Sequence, residues 1–261
     1  MDEQTQGWIN LYKPIGISSF SAIYKIRKKF NIKKLGHAGT LDPNAEGILP
    51  IGINKTTKLI PFVNTNSKKY IFKIKWGEQT STDDSEGKIL NFSNKVPKED
   101  EIRKVIKFFL GNKYQVPPKA SAINVNGKRA YYLLRNDENF VLKPKKVYLK
   151  SISLIFSDYK ISEFFIECGK GYYVRSLARD IAKKLDTYGH VIEIKRTKVG
   201  NFIDKTSILL DDLLKIGQSE FEFNCIHSSI SMLDDILAYE IVDEKNKLSI
   251  SQGRSININV N

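Results

Sequence analysis

The chain has 261 residues, 41% of them hydrophobic, which is enough to bury the core of one large domain or two smaller ones. Its formal net charge is +13: residues 1–203 carry +18 and residues 204–261 carry −5. This excess of positive charge favours a polyanionic partner, either a nucleic acid or an anionic membrane surface, over the alternative that the lysines only aid solubility. No apolar run approaches the ~20 residues that a membrane-spanning helix needs, which excludes that class of protein.

The first part of the chain alternates between short strands and helices. Residues 7–12 alternate apolar and polar side chains, which predicts a strand, and residues 13–16 form a turn. Ser18 or Ser19 then caps a helix whose apolar residues recur near helical spacing. A loop rich in glycine and proline is predicted over residues 35–47.

The next elements are more regular. We predict a buried strand over residues 48–53, a short helix over residues 56–62 and a clear strand over residues 68–76, where aromatic and aliphatic side chains alternate mostly with lysines. Residues 80–87 form a polar loop, and a helix begins at Pro97 and runs to Leu110.

The remaining elements combine paired strands with single helices. Residues 111–146 are less regular and include a short helix from Lys128 to Arg135. Strands over 145–157, 161–168 and 189–199 flank a helix over 172–185. This mixture predicts an α/β or α+β fold with a mixed sheet, and not a doubly wound parallel one.

The acidic end of the chain is predicted to form a small appended unit, with a boundary near residue 204. Its short elements are a helix near 228–237 and strands near 238–242 and 256–260.

Several observations bound the location and chemistry of the protein. The polar, acidic residues 1–6 argue against a signal peptide, and Cys168 and Cys225 lack the CxxC spacing, so we expect reduced cysteines in a cytoplasmic protein. The three histidines are too scattered for a zinc site, so no metal is expected.

The loop around Asp42 is the most informative stretch. Glycines let a backbone approach a ligand closely and proline stiffens the chain, so this loop suits the rigid presentation of one carboxylate. An isolated Asp-Pro is more often a plain turn in which Asp bonds its own backbone. The length of the punctuated run favours a functional loop.

That run resembles a known family signature. Residues 36–50 match GHxGTLDPxAxGxLP, typical of the TruB family of tRNA pseudouridine synthases, at every specified position. Residues 13–19 look like the family's KPxGxTS element, with Ser18 where Thr is usual and Tyr12 where the preceding Asp is usual. Further similar elements lie at 67–70, 77–87, 114–131 and 171–177, so the resemblance covers about residues 7–203.

The resemblance implies a pseudouridine synthase fold with a mixed, mostly antiparallel central sheet flanked by helices, plus a small C-terminal unit. It implies a catalytic domain over residues 1–203, in which residues 113–146 clamp the RNA, followed by a small acidic region over 204–261. Relatives often end in a PUA domain, and any PUA-like unit in this region would be a shortened one. The implied activity is the conversion of uridine 55 in the T-loop of tRNA to pseudouridine, without a cofactor or metal. The implied partner is the T-stem loop, bound by a cytoplasmic monomer without a membrane.

The resemblance also assigns roles to four residues. Asp42 would act as nucleophile or base and must be ionised, and Arg175 would keep it so by holding the carboxylate. Tyr70 would stack on the flipped base, with core packing as the alternative, and Tyr173 would stack or move protons. Without the resemblance, Arg175 would be taken for a surface residue of a helix.

RNA contacts are expected around the same loop. His37, together with Gly39 and Thr40, is expected beside the RNA loop and not as a general base. The basic residues expected to meet phosphates, each of which alone is more often a solvated charge, are Lys13, Lys33, Lys34, Lys58, Lys68, Lys69, Lys119, Lys128 and Arg129.

Two other functions are weighed against this one. A non-catalytic RNA-binding protein or tRNA folding chaperone on the same fold would not need Asp42, Tyr70 and Arg175 together. A pseudouridine synthase of another family would lack the GTLDP context of the loop.

Overall fold

The computed structural model describes residues 5–63, 67–230, 232, 243–252, 254 and 256. The described strands are β1 (Gly7–Lys13), β2 (Leu35–His37), β3 (Ala45–Ile53), β4 (Lys68–Trp76), β5 (Glu78–Thr80), β6 (Ile89–Phe92), β7 (Gly111–Gln115), β8 (Asn124–Val125), β9 (Lys128–Arg129), β10 (Lys145–Ser157), β11 (Ile161–Cys168), β12 (Gly189–Val199), β13 (Phe202–Ile203) and β14 (Ile208–Leu209).

The described α-helices are α1 (Ser19–Phe30), α2 (Ile60–Val63), α3 (Glu99–Ile106), α4 (Ala130–Arg135), α5 (Val174–Lys184), α6 (Leu210–Lys215), α7 (Gln218–Asn224) and α8 (Glu244–Ser251). Short 3-10 turns lie at Asn54–Leu59, Lys107–Phe109 and Asp204–Thr206. No helix in the described ranges is long and apolar enough to cross a membrane.

A ten-stranded sheet organises the molecule, with the order β14-β1-β3-β12-β4-β11-β10-β7; β2 pairs with β3, and β13 with β12. The β12–β3 and β1–β14 pairs are parallel and the other pairs in this sheet are antiparallel. The predicted mixed, mostly antiparallel sheet is therefore confirmed.

The regular strands follow from their sequence pattern. Along β4, Tyr70, Phe72, Ile74 and Trp76 are buried, while Ile71 and the lysines at 69, 73 and 75 are partly exposed. This face packs with β11 and α5 into one core, where the rings of Phe72 and Phe164 stack with centroids 5.3 Å apart. The strands predicted over 68–76, 145–157, 161–168 and 189–199 have these bounds in the structure.

Capping residues set both ends of helix α1. The Ser18 side chain accepts a hydrogen bond from the N–H of Ser21, which satisfies a free donor of the first turn. Asn31 ends the helix in the left-handed conformation, with φ of 49°, and its N–H bonds the carbonyl of Arg27. The predicted cap at Ser18 or Ser19 is thus Ser18.

Cross-strand pairing changes two predicted segments. The loop predicted over 35–47 is shorter, because residues 35–37 pair with β3 as β2 and β3 itself begins at Ala45. The irregular segment 111–146 contains β7 on the sheet edge, and its helix begins only at Ala130 because residues 128–129 pair with β8.

The described part of the acidic region packs against the first helix. Phe221 in α7 stacks on Phe30 in α1 with ring centroids 3.9 Å apart and planes inclined by 13°. Leu210 and Leu213 of α6 join the same core. Of the helix predicted near 228–237, residues 228–230 and 232 are described and none of them is α-helical. The strands predicted near 238–242 and 256–260 lie outside the described residues apart from residue 256, and the boundary near 204 stays a prediction.

We expect Phe221→Ala to lower the free energy of unfolding by about 3–5 kcal/mol, because a fully buried ring stacked on Phe30 would be replaced by a cavity. Denaturant unfolding measures this. The matched control, Phe156→Ala, removes a ring that is 53% exposed and should change the value by less than about 0.5 kcal/mol. Equal losses in the two variants would contradict the packing of α7 on α1.

Candidate active site

Asp42 lies in the loop that joins β2 to β3, and three contacts fix the backbone beside it. The hydroxyl of Ser19, the first residue of α1, accepts the N–H of Leu41 and donates to the Leu41 carbonyl, both at 2.9 Å. The N–H of Gly16 bonds the carbonyl of Pro43 at 2.9 Å. The residues on both sides of Asp42 are therefore held by the turn and helix that follow β1.

Lys13 supports this loop from inside. Its side chain is fully buried, and its Nζ donates to the carbonyls of Pro14 and Ile17 at 2.7 Å and of Pro43 at 3.4 Å. A buried ammonium that is bonded to three carbonyls does not reach a phosphate, so the expected phosphate contact of Lys13 is wrong for this structure. Burial lowers the pKa of Lys13 to about 8.

Arg175, in the first turn of α5, brings two carboxylates together. Its Nη2 lies 2.8 Å from Asp42 Oδ2, and its Nη1 lies 3.0 Å from Asp84 Oδ2. The same guanidinium donates to the carbonyls of Thr82 at 3.0 Å and Ala120 at 2.9 Å. Arg175 is buried, so one planar cation joins the Asp42 loop, the polar loop after β5 and the segment after β7.

Asp84 is a site residue that the sequence analysis missed. Its Oδ1 accepts the Thr82 hydroxyl at 2.5 Å and the N–H of Glu86 at 3.1 Å, which orients the carboxylate toward Arg175. The neighbouring Asp83 pairs with Arg179 at 2.8 Å, one turn further along α5. The signal that pointed to Asp84 was its place in the family-like element at residues 77–87.

The surroundings of Asp42 act on its pKa in opposite directions. The Asp42 side chain is 42% exposed. The protein atoms that surround the rest of its carboxylate exclude water, and this desolvation is the largest influence on the pKa of Asp42, which it raises. The Arg175 guanidinium lowers the pKa of Asp42, the negative charge of Asp84 raises it, and the more distant Lys13 lowers it.

The segment after β7 is attached to α5 near this centre. The side-chain amide of Gln115 donates from Nε2 to the carbonyl of Tyr173 at 3.1 Å, and its Oε1 accepts the N–H of Tyr173 at 3.0 Å. The Val116 carbonyl accepts from Ser176 and from Arg179, each at 2.8 Å. These contacts set the first turn of α5, from which Arg175 projects.

The two tyrosines occupy different environments. Tyr70 is buried in the core that also contains Phe72, and its hydroxyl lies beside the side chain of Arg196. Burial raises the pKa of Tyr70, and Arg196 lowers it. Tyr173 is half-buried at the start of α5, and burial raises its pKa while Arg175 lowers it. Both hydroxyls lie close enough to feel the charge of Asp42.

His37 ends β2 on the edge of a surface groove. The groove is lined by Phe20, Ile23, Tyr24, Arg27, Leu35, Gly36, His37 and Ile60. Burial lowers the pKa of His37, so its imidazole is neutral at pH 7. Phe20 is 76% exposed and Tyr24 54% exposed, so α1 presents aromatic rings to solvent beside the Asp42 loop.

The remaining predicted RNA-binding residues divide by exposure. Thr40 is exposed and Gly39 is half-buried. Lys69 is half-buried, while Lys68 is nearly buried and its pKa is lowered to about 8 by that burial. The exposed cations are Lys33, Lys34, Lys58, Lys119, Lys128 and Arg129. The described residues contain no cluster of His, Cys, Asp and Glu that could hold a metal ion.

Tyr12, the residue that departs from the family-like opening element, joins a polar group at the end of the loop. Its hydroxyl lies beside the side chains of Glu46 and Lys195, and the Lys195 ammonium lies 5.2 Å from the Tyr12 ring centroid. Lys195 also pairs with Asp204 at 3.0 Å. The substitution of tyrosine is therefore accommodated by a bridge between β3, β12 and the residue that follows β13.

Comparison with family models gives two adjacent matches. Residues 27–174 match the TruB family pseudouridylate synthase N-terminal domain. Residues 175–238 match the tRNA pseudouridylate synthase B C-terminal domain.

Comparison with curated proteins finds similar bacterial enzymes, each named tRNA pseudouridine synthase B. The Ehrlichia ruminantium protein is 47% identical over 209 residues, which is 79% of this chain and 71% of that protein. The Caulobacter sp. K31 protein is 40% identical over 96% of this chain and 81% of its own length. The Wolbachia protein from Culex pipiens is 42% identical over 84% of this chain, which spans 63% of that relative's length.

Comparison with solved structures finds chains of similar fold. A chain of a Cbf5–Nop10–Gar1 complex superposes with a TM-score of 0.64 at 27% identity, over 87% of this chain and 59% of that one. A chain of an H/ACA RNP bound to a substrate RNA containing 2′-deoxyuridine gives a TM-score of 0.62 at 25% identity, over 87% of this chain and 58% of that one.

We expect the carboxyl group of Asp42 to titrate at a higher pH than that of an ordinary aspartate, because burial raises its pKa more than Arg175 lowers it. The NMR chemical shift of its carboxyl carbon, followed against pH, measures this. Asp84→Asn should move the titration midpoint to lower pH, because it removes the negative charge that raises the pKa of Asp42. The control Asp158→Asn, an exposed turn residue, should leave the midpoint unchanged. A midpoint that stays or rises in Asp84→Asn would disprove this account.

Proposed function

The chain belongs to the TruB family of pseudouridylate synthases, and from this membership we propose that it isomerises uridine 55 in the T-loop of tRNA to pseudouridine. The observation that carries the proposal is the 2.8 Å contact between Arg175 and Asp42 in a loop that bears the family signature. The tRNA substrate agrees with the names of the relatives.

The reaction needs an anionic oxygen at a fixed position. The glycosidic bond from N1 of the uracil breaks, the base turns, and a bond from C5 to the sugar forms, while the C5 proton is lost and N1 gains a proton. All atoms of the nucleotide are retained, so the protein supplies position and charge. Asp42 acts as the nucleophile or as the base, and Arg175 keeps it ionised despite its burial.

The two tyrosines fit a flipped base beside Asp42. A uridine within a folded RNA loop must leave its stack to be reached, and flipped bases stack on aromatic side chains. Tyr70 and Tyr173 both lie within electrostatic reach of Asp42 and present rings from β4 and from the start of α5. We assign Tyr70 the stacking contact and Tyr173 a stacking or proton-transfer contact.

The RNA loop itself fits the surface that borders Asp42. The neutral imidazole of His37 and the exposed rings of Phe20 and Tyr24 offer stacking faces to unpaired bases. The exposed cations Lys58, Lys119, Lys128 and Arg129 would meet phosphates of the T-stem loop, and residues 113–146 would clamp the RNA. The protein would act as a cytoplasmic monomer.

The geometry favours catalysis over binding alone. A protein that only binds or refolds tRNA has no use for a carboxylate that is held against a buried guanidinium shared with Asp84. Burying that cation costs free energy unless it is paired, and its pairing here directs an oxygen of Asp42.

We expect Asp42→Asn to slow pseudouridine formation at least about 1,000-fold while tRNA binding survives, because the amide fits the loop but supplies no anionic oxygen. Chemical mapping of a T-stem loop after single-turnover incubation measures the product, and filter binding measures affinity. Asp212→Asn, which changes an exposed carboxylate of α6, is the matched control and should behave as wild type. Wild-type turnover by Asp42→Asn would remove Asp42 from its assigned role.

We expect the affinity for the T-stem loop to fall steeply as salt rises, because bound phosphates release counterions when lysines replace them. Lys58→Gln should reduce the slope of log affinity against log salt by roughly 1, since it removes one exposed phosphate contact. Lys247→Gln in the acidic region removes an equal charge and should leave the slope unchanged. A slope near zero in the wild-type protein would refute the phosphate contacts.

A further inference from the structure

Arg196 is a second buried arginine that contacts the Asp42 loop, at residues other than the one that Arg175 holds. It lies in the middle of β12, opposite Tyr70 of β4 and Gly47 of β3 in the sheet register, and only 1% of its surface is exposed. No sequence pattern singles out Arg196, because a basic residue in a strand is usually solvated.

The guanidinium of Arg196 donates to the backbone of the Asp42 loop. Its Nη2 lies 2.9 Å from the carbonyl oxygen of Gly39, and its Nη1 lies 3.4 Å from that of Thr40. Its Nε donates to the carbonyl of Ile48 in β3 at 2.7 Å, and its side chain lies beside the hydroxyl of Tyr70 and lowers the pKa of that hydroxyl. One rigid group therefore connects the loop, the strand after it and the proposed stacking residue.

The charge of Arg196 is unfavourable where it lies. Among the ion pairs of the described residues, none includes Arg196, and the buried ammonium groups of Lys13 and Lys68 lie close enough to feel its charge. A buried cation without a carboxylate partner destabilises a fold unless fixed dipoles compensate it. Here the carbonyls of Gly39, Thr40 and Ile48 supply those dipoles.

The close contact of β3 with β12 fixes the backbone of Arg196 itself. Gly47 has a φ of +109°, and a Cβ built there would lie 2.2 Å from the carbonyl oxygen of Arg196. Glycine thus allows the two strands to approach at the residue that carries the guanidinium. The position of Arg196 is set by the sheet, and the loop is bonded to Arg196.

We propose that Arg196 is a positioning residue, which sets the placement of the Asp42 loop relative to Tyr70 by bonding Gly39 and Thr40 while it lies beside the Tyr70 hydroxyl. The inference rests on the proposed function, because its effect is on the isomerisation. Asp42 follows Thr40 by two residues, so Arg196 holds the backbone before Asp42 while Arg175 holds its carboxylate. Displacement of a reacting group by about 1 Å is enough to cost large factors in rate.

Lysine does not reproduce this arrangement. A guanidinium presents five N–H donors in a fixed plane, whereas an ammonium is a point donor at the end of a flexible stem. Arg196→Lys keeps the charge but loses the simultaneous contacts to the loop, to β3 and to Tyr70. It separates the effect of geometry from the effect of charge.

The test compares single-turnover rate with affinity, using excess protein and a T-stem loop. We expect Arg196→Lys to lower the rate at least ~10-fold while the Kd for the RNA stays within about twofold, because the proposed effect is on alignment and not on phosphate contacts. The control Lys198→Met removes a cation from the same strand and should change neither quantity. A rate within about twofold of wild type in folded Arg196→Lys overturns the proposal.

A second comparison tests the link through Tyr70. The rate cost of Arg196→Lys should be smaller in a Tyr70→Phe background, because the phenylalanine has no hydroxyl for Arg196 to hold; independent costs would overturn this link. If Arg196→Lys does not fold, Arg196→Gln, which keeps two N–H donors for the loop carbonyls, is measured with the same criteria. A wild-type protein inactive on the T-stem loop would instead refute the proposed function.

Discussion

The guanidinium of Arg175 is the interaction on which the site depends. Asp42 and Asp84 carry like charges, and in a buried setting such a pair would neutralise itself by taking up a proton. Arg175 lies between them, 2.8 Å from one carboxylate and 3.0 Å from the other, so its positive charge offsets their mutual repulsion and the same rigid plane holds each of them. Three loops that are distant in sequence must close around α5 for this to occur.

The sheet explains how those loops converge. Strands β3 and β12 run parallel at its centre with Ala45 opposite Ile194, so the Asp42 loop, which precedes Ala45, lies beside the middle of β12. Arg175 reaches this loop from the first turn of α5, while Arg196 projects from within β12 toward the same loop. Asp42 is thereby fixed through its carboxylate on one side and through its neighbouring carbonyls on the other.

Much of this could be predicted from the sequence, and the exceptions have physical reasons. The strands β4, β10, β11 and β12 were predictable because their side chains alternate, and the Asp42 loop because its glycines, prolines and order resemble a known signature. Strand β2 could not be predicted because only its pairing with β3 defines it. The sequence pattern led to a predicted phosphate contact for Lys13 and did not select Arg196. Both are buried cations that are stabilised by backbone carbonyls from elsewhere in the fold, and a sequence pattern does not show those contacts.

The attachment of residues 115–120 to α5 has an energetic consequence. The Ala120 carbonyl shares Nη2 of Arg175 with Asp42, so lifting this segment away takes one acceptor from the guanidinium and strengthens its attraction to the carboxylate. Thermodynamic linkage makes the relation reciprocal: a ligand that lifts this segment from Arg175 lowers the pKa of Asp42, and deprotonation of Asp42 raises the affinity for that ligand. The binding of such a ligand and the ionisation of Asp42 are therefore thermodynamically coupled.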